Sequence, residues 1–219
     1  IAAIRGVAPG TDVHSPAHFP DINSTEDLAR RVAEIKGING GRPVGIKFAA
    51  GHVEADLAAA IEAGADWVTV DGLGGGTGAA PTHVKDNVGI PSITGLHRVR
   101  RWLDEHGVDD VQVVATGGFR TPDEMAKALA LGADAVALAT TALMAIGCQQ
   151  YRACHRGTCP VGIATQDPMR RDRLDIDESA RRLTNFLVQC TALMADFTRV
   201  VGKTRLVDLD RHDLVSLDA

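Results

Sequence analysis

Residues 111–141 read VQVVATGGFRTPDEMAKALALGADAVALATT and contain a strand, a helix and a second strand in turn. The strand at 111–115 is a short apolar run. Thr121 opens the helix, because a threonine cap, a proline in the first turn and two acidic residues near the positive end of the helix dipole all favour a helix start. We expect this helix to end at Gly132 and the second strand to cover 133–139. The stretch therefore predicts two parallel strands joined by a crossover helix.

The same alternation of helix and strand extends in both directions from this unit. Ser24, followed three residues later by Asp27, resembles a capping box at the start of a helix. The other expected elements are a strand at 43–48, a helix at 54–64, a strand at 66–72, a glycine- and proline-rich loop at 73–91, a helix at 94–106, an irregular cysteine-bearing segment at 140–170, and a helix of about 25 residues from Asp177 to near Gly202.

Repeated strand–helix–strand units with short connections predict an α/β domain built on parallel strands. Two architectures remain open on this pattern, an open doubly wound sheet and a (β/α)8 TIM barrel. A barrel needs eight strands and four are recognisable, so the chain could hold about half of one. Residues 1–219 read as part of one domain, since neither a linker nor a low-complexity segment interrupts them.

The composition is that of an ordinary globular protein, with 45% hydrophobic and 23% charged residues. The net charge of −5 argues against a nucleic-acid-binding surface, which needs clustered basic residues. No apolar run approaches the roughly 18 residues of a membrane span and no signal peptide opens the chain, so we expect a cytoplasmic protein. The chain begins at Ile1 with sequence typical of the middle of a domain. We therefore expect a fragment or processed subunit, with a preceding segment or partner chain supplying the missing strands.

Cys148, Cys154 and Cys159 form the pattern C-x5-C-x4-C-P, whereas the fourth cysteine, Cys190, stands apart. Three thiolates in one loop suit an iron–sulfur cluster, and three ligands fit a three-iron cluster because each iron takes one thiolate. A zinc site usually takes four ligands in pairs such as C-x2-C, although His155 could supply a fourth ligand. Three reduced structural cysteines are the remaining alternative.

Glycines crowd the end of the predicted strand at 66–72, where the sequence reads GLGGGTG. Gly74, Gly76 and Ala79 match the dinucleotide-binding pattern G-x-G-x-x-A. Pro81 follows almost at once and no clear helix begins there, so the context of a dinucleotide site is missing. The loop is better interpreted as bordering a flavin or a substrate, and a merely flexible loop is the alternative.

Two later strand ends resemble a phosphate-binding site. Gly117 and Gly118 follow the third predicted strand, and Thr140 and Thr141 follow the fourth. In flavin-binding barrels, backbone amides of the loops after the last two strands commonly hold a phosphate group. The two strand ends together therefore predict a phosphate site.

Lys47 interrupts the apolar strand at 43–48. A lysine buried on a strand needs a partner for its ammonium group. At the mouth of a barrel, Lys47 could lie near the N1–O2 edge of a flavin and stabilise the anionic reduced ring. The alternative is a salt bridge to an acid on a neighbouring strand, such as Asp71.

With these motifs, the chain resembles the flavin-binding synthase domain of the glutamate synthase family. The cysteine pattern is the segment most specific to that family. The matching segments occur in the family's order and run nearly from end to end: HFPDI at 18–22, S-x-E-D-L at 24–28, GGTGA at 75–79, Gly117-Gly118, the cysteine pattern through Pro160-Val161-Gly162, and Ala164-Thr165-Gln166.

The resemblance implies the C-terminal half of a (β/α)8 TIM barrel, with a cluster loop at 140–170 and a C-terminal helical tail at 171–219. It implies FMN and a 3Fe-4S cluster as cofactors, and the reductive amination of 2-oxoglutarate to glutamate or an N-substituted glutamate. The implied site residues are Cys148, Cys154 and Cys159 as cluster ligands, Gly117, Gly118, Thr140 and Thr141 at the FMN phosphate, and Lys47, Gly75, Gly76 and Thr77 at the flavin ring and the keto acid, with Lys47 as the catalytic residue.

The same resemblance implies partners. Ammonia would come from a glutaminase subunit or be replaced by an amine such as methylamine, and electrons would come from ferredoxin or an NAD(P)H-dependent subunit. His52 is a candidate general acid. The chain departs from the family pattern at Leu73, Gly74 and Ala80. These departures leave open a non-catalytic electron-transfer or scaffold subunit that keeps the cluster, and another FMN-dependent barrel oxidoreductase.

Overall fold

A computed structural model describes residues 2–12, 18–76 and 82–215 of the chain. Four parallel strands form its sheet, in the order β1-β2-β3-β4. They are β1 (Gly45–Ala49), β2 (Trp67–Asp71), β3 (Gln112–Thr116) and β4 (Ala135–Val136). The α/β class and the parallel strands predicted from the sequence are confirmed.

Helices precede, connect and follow the strands. They are α1 (Ala2–Arg5), α2 (Thr25–Ile38), α3 (Val53–Glu62), α4 (Thr82–Lys85), α5 (Ser92–His106), α6 (Pro122–Ala130), α7 (Thr140–Ala145), α8 (Pro168–Arg171) and α9 (Ile176–Val200). Short 3-10 turns cover Cys154–Arg156, Leu206–Asp208 and Arg211–Asp213.

The strand order bears on the two architectures that the sequence left open. A doubly wound sheet reverses its order at a switch point, whereas the strands of a β/α barrel follow one another consecutively. β1 to β4 are consecutive neighbours. The sheet is therefore consistent with part of a TIM-barrel-like domain.

Three expectations about element boundaries were wrong. The fourth strand was expected at 133–139, but only Ala135–Val136 pairs, opposite Val114 and Ala115. The backbone then turns at Ala139, where α7 begins within a segment that we expected to be irregular. The loop at 73–91 likewise contains a helical turn, α4. Each missed element is six residues or shorter, which is too short for hydrophobic periodicity to reveal.

The helix starts follow the capping residues that the sequence offered. The Ser24 side chain accepts a hydrogen bond from the N–H of Asp27. The Asp27 carboxylate accepts from the N–H of Asn23, so the reciprocal bond of the expected box forms one residue earlier than predicted. At the start of α6, the Glu124 carboxylate accepts from the N–H of Thr121. These bonds satisfy N–H groups that a helix cannot satisfy itself.

The sheet has two different faces. One face packs against α3 and α5, and its fully buried side chains belong to one hydrophobic core: Val68, Val70, Val113 and Ala115 from the strands, with Leu57, Leu96, Val99 and Leu103 from the helices. The opposite face carries Lys47, Thr69 and Val114, which share one register line and are exposed or half-buried. Within the described residues, nothing packs over this second face as the helices pack over the first.

An ion pair fixes the amino end of the sheet. Lys36 of α2 lies 2.8 Å from the Asp66 carboxylate, next to the start of β2. The oxygen at that distance, Oδ2, also accepts from the N–H of Val44 at 2.6 Å, just before β1, and Oδ1 accepts from Lys36 Nζ at 2.9 Å. The hydrogen bond from Lys36, supported by that from Val44, lowers the pKa of Asp66. The Lys36–Asp66 pair is thus a structural ion pair with both oxygens engaged.

The C-terminal helix α9 packs against α6 and α7. It begins after Asp175, whose side chain accepts from the N–H of Glu178. Of the helices in the part of the chain that the structure describes, none combines the length and the apolar character needed to cross a membrane.

Candidate functional site

A cavity of about 400 Å³ lies at the carboxyl ends of the four strands. In parallel α/β sheets, this is the end at which ligands bind. Four segments line the cavity: the ends of β1 and β2 with the glycine loop that follows, the loop after β3, the start of α7, and the cysteine loop. Its lining residues include Lys47, Asp71, Gly74, Gly75, Gly76, Gly117, Gly118, Thr140, Thr141, Cys148, Cys154 and Cys159.

The flavin and cluster residues named from the sequence thus line one cavity, as far as the structure describes them. Thr77 lies outside the described residues. The candidate general acid His52 precedes α3, and the described lining residues do not include it. The lining residues that the sequence did not single out include Phe119, Arg120 and the stretch from Gln149 to Arg152.

Lys47 and Asp71 form an ion pair across β1 and β2, with 2.8 Å between Nζ and Oδ2. This is the salt bridge that the sequence offered as an alternative for Lys47. The lysine side chain is 59% exposed, so the expectation of a buried lysine was wrong. It is exposed because β1 carries it on the uncovered face of the sheet. Asp71, at 16% exposed, is far more buried than its partner.

Two pairs of glycines bring the loop after β2 against the loop after β3. Gly117 and Gly118 have φ values of +110° and +92°, which favour glycine. A Cβ on Gly117 would lie 2.5 Å from the N atom of Gly72, and a Cβ on Gly118 would lie 3.1 Å from the Cα of Gly74. Ser92 also donates its hydroxyl to the carbonyl of Gly117. The glycines therefore serve close packing of backbone on backbone beside the cavity.

The start of α7 joins the same loop. The Thr141 hydroxyl is buried and donates to the carbonyl of Phe119 at 2.7 Å. The first intrahelical bond runs from the N–H of Leu143 to the carbonyl of Ala139. The N–H groups of the preceding residues in α7 consequently have no acceptor within the helix. Thr140 is exposed at the cavity wall.

The three cysteines of the loop differ in their surroundings. Cys148 follows α7 and is half-buried, and its sulfur accepts from the N–H of Gln150 at 3.4 Å. Cys154 is exposed in a 3-10 turn, and Cys159 is buried. Burial raises the pKa of the Cys159 thiol, but hydrogen bonds from the backbone N–H groups of residues 161–164 outweigh burial and lower this pKa. Such a ring of N–H groups stabilises a thiolate.

The cysteine loop is held in an unusual backbone path. Gln150 and Arg152 have φ values of 55°, a left-handed conformation that costs about 1–2 kcal/mol for each non-glycine residue. Two hydrogen bonds to its backbone hold this path in place, one from Thr165 and one from Arg173. The Thr165 hydroxyl donates to the carbonyl of Gly157 at 2.7 Å, and Arg173 donates to the carbonyl of Pro160 at 3.0 Å.

The described residues contain no group of three His, Cys, Asp or Glu side chains close enough to hold one metal ion. A mononuclear zinc site needs its ligand atoms within about 2.0–2.3 Å of the ion. The three cysteines line one cavity without converging on a single point. Their arrangement therefore does not suit a single ion.

Comparison with known proteins gave consistent matches. The family model described as a conserved region in glutamate synthase matches residues 1–204. The chain is 44% identical over 190 residues to the archaeal glutamate synthase [NADPH] of Archaeoglobus fulgidus. The aligned region covers 85% of this chain and 37% of that protein. It is 42% identical over 205 residues to the archaeal glutamate synthase [NADPH] of Methanocaldococcus jannaschii, covering 92% of the chain and 40% of the relative. A glutamate synthase large subunit-like protein of Rhizobium meliloti is 36% identical over an alignment of 235 residues. That alignment covers 99% of this chain and 53% of the relative. The chain thus spans about two fifths to one half of the length of these relatives.

The glycine contact predicts a difference between two substitutions. Gly157→Ala places a Cβ in open space at a φ of +65°, and we expect it to cost about 1–2 kcal/mol in the free energy of unfolding. Gly117→Ala has a less favourable φ of +110°, and its Cβ would also overlap Gly72. We therefore expect it to lower the free energy of unfolding by about 3 kcal/mol or more. Urea denaturation followed by circular dichroism measures both. Equal costs would show that the two loops are not in close contact.

Proposed function

Because the chain belongs to the glutamate synthase family, we propose that it forms a large part of the synthase domain of a glutamate synthase-type oxidoreductase that uses FMN and a 3Fe-4S cluster. The relatives support an oxidoreductase of the glutamate synthase type. The observation that carries the finer proposal is the single cavity on which strand-end glycines, a lysine–aspartate pair and three cysteines meet. The proposed reaction is the reductive amination of 2-oxoglutarate to glutamate or an N-substituted glutamate.

The four-stranded sheet is proposed to be the C-terminal half of a (β/α)8 barrel. Its consecutive strand order supports this assignment. So does its uncovered face, since a barrel turns one face of every strand towards the interior. The other strands would come from a preceding segment or a partner chain, and they would cover the side of the sheet that carries Lys47.

The loops after β3 and β4 fit the FMN phosphate. Gly117 and Gly118 would approach it without side chains, and the first N–H groups of α7 have no acceptor within their helix. Thr140 could add its hydroxyl, whereas the Thr141 hydroxyl is already engaged with Phe119. The loop that contains Gly75, Gly76 and Thr77 would border the flavin ring. A cavity of about 400 Å³ is within the range of small-molecule sites.

The cysteine loop is the proposed site of the cluster. A three-iron cluster would give each of Cys148, Cys154 and Cys159 its own iron. The backbone N–H groups around Cys159 favour the thiolate that such a ligand requires. When bound, the FMN would supply hydride for the reduction, and the cluster would supply electrons singly.

Lys47 is proposed to bind an anionic oxygen in the cavity, either that of the reduced flavin ring or that of the keto acid. Its ammonium group is held 2.8 Å from Asp71, which limits where the charge can lie. A fixed positive charge stabilises negative charge that develops beside it during the reaction. Lys47 is therefore the proposed catalytic residue.

The proposed partners are those that the chemistry requires. Ammonia would come from a glutaminase subunit, or an amine such as methylamine would take its place. Electrons would come from ferredoxin or an NAD(P)H-dependent subunit, and the names of the archaeal relatives favour NADPH as their source.

Substitution of the cysteines tests the cluster. Cys154→Ala should remove most of the bound iron and sulfide while the protein stays folded, because Cys154 is exposed and contributes little to the core. Cys190→Ala is the matched control, since Cys190 lies on α9 away from the cavity. Iron and sulfide analysis of the purified variants gives the result. Equal iron contents in the two variants would contradict the assignment of Cys154 as a ligand.

Removal of the lysine charge tests the flavin site. Lys47→Ala should lower the FMN midpoint potential by about 30 mV or more, since about 30 mV corresponds to about 1.4 kcal/mol for a two-electron couple. The unpaired Asp71 carboxylate would add to the effect. Lys36→Ala removes an ion-paired lysine at the other end of β2 and should leave the potential unchanged. A folded, FMN-loaded Lys47→Ala protein with the wild-type potential would leave Lys47 with a structural role only.

Expression of residues 1–219 alone tests the half-barrel. Its uncovered sheet face and strand edges should favour aggregation and prevent tight FMN binding. Light scattering and flavin titration measure both properties, with the complete protein as the control. A soluble monomer that binds FMN tightly would be incompatible with the half-barrel and would favour an open sheet.

A further inference from the structure

Tyr151 places an exposed aromatic residue on the wall of the cavity. It lies in the cysteine loop, three residues after Cys148, and it is the only tyrosine of the chain. Tyr151 lines the cavity and is 57% exposed. The other aromatic residue among the described lining residues is Phe119, which is 5% exposed and belongs to the hydrophobic core. Of these two residues, Tyr151 is the one that a ligand can cover.

Hydrogen bonds and backbone conformation hold Tyr151 in position. Its hydroxyl donates to Oε1 of Gln149 at 2.7 Å. The residues on either side, Gln150 and Arg152, both have left-handed φ values of 55°. The N–H of Gln150 also donates to the Cys148 sulfur at 3.4 Å, which ties down the backbone next to the ring. Unfavourable backbone conformations cluster at ligand-binding sites, and a side chain that is fixed beforehand loses less entropy when a ligand binds.

The neighbouring lining residues leave room for a flat apolar ligand. Leu143 of α7 also lines the cavity and is 37% exposed. Residues 74–76 and Gly117-Gly118, which line the cavity as well, are glycines and present no side chains. Aliphatic and aromatic side chains bind the apolar part of a ligand, and a glycine backbone can approach it closely. The lining therefore suits a planar ring system better than a purely polar ligand.

We propose that Tyr151 binds the isoalloxazine ring of FMN, against which its aromatic ring packs from the side of the cysteine loop. The inference rests on the proposed function and assigns to this cavity a residue that recognises the ring system of the cofactor. Aromatic rings attract one another in offset-stacked or edge-to-face arrangements, and the contact also removes apolar surface from water. Tyr151 thus contributes to flavin affinity through its ring and takes no part in the chemistry.

Flavin binding to the complete protein, freed of FMN but retaining its iron, tests this inference without turnover. FMN and riboflavin, which has the same ring system and no phosphate, are titrated separately into the wild type, Tyr151→Ala and Tyr151→Phe, and binding is followed by flavin fluorescence. Tyr151→Ala should weaken the binding of both flavins by about tenfold, as expected for loss of an aromatic side chain that stacks on a base. Tyr151→Phe keeps the ring and should stay within about threefold of the wild type.

Two controls separate ring packing from damage to the loop. Arg156 lies in the same loop and is exposed, but it is not among the described lining residues. Arg156→Ala should therefore bind both flavins as the wild type does. Iron analysis shows whether each variant keeps the loop intact. Tyr151→Leu, which keeps apolar bulk without the aromatic ring, gives the same comparison if Tyr151→Ala loses its iron.

The outcomes distinguish the inference from the proposal on which it rests. Unchanged affinities in Tyr151→Ala, or a loss confined to FMN, would overturn the inference, since the ring system is common to both flavins. So would equal losses in Tyr151→Ala and Tyr151→Phe, or an equal loss in Arg156→Ala. A wild-type protein that binds neither flavin would instead overturn the proposed function.

Discussion

Parallel pairing in an unbroken register is the constraint on which the rest of the site depends. β1, β2 and β3 align residue by residue, so that Ala49, Asp71 and Thr116 end at the same level. Because the strands run the same way, every loop that follows a strand emerges at one edge of the sheet. Segments more than 100 residues apart in sequence, from Lys47 to Cys159, therefore line one cavity.

One face of the sheet forms the hydrophobic core, and the other carries residues of the candidate site. The helix-facing side is filled with small and branched apolar residues such as Val68 and Val113, which hold the strands in register. The other face carries Lys47 and ends at the Lys47–Asp71 pair. The two aspartates of β2 differ in the same way: both oxygens of Asp66, at the start of the strand, accept hydrogen bonds, whereas Oδ1 of Asp71, at its end, is buried without a donor among the described residues.

Much of the fold could be predicted from the sequence, because its strong local signals agree with the tertiary structure. The capped starts at Ser24 and Thr121 and the apolar strands β1 to β3 lie where expected. The fourth strand was expected, but its short length was not, and neither was α7, since these depend on pairing with β3 and on the Thr141–Phe119 bond rather than on periodicity. The role of a single residue such as Asp71 depends on its contacts across strands, which the sequence pattern does not reveal. The cysteine and glycine motifs were visible because their spacing is local.

We propose that one cavity at the carboxyl ends of these strands takes both a flavin and a three-iron cluster. Analysis of FMN, iron, sulfide and zinc in the complete protein, together with its visible spectrum, tests this proposal. We expect one FMN, three irons and four sulfides per chain, with flavin absorption over a broad cluster band. Stoichiometric zinc without sulfide, or an iron–sulfur protein that holds no flavin, would contradict it.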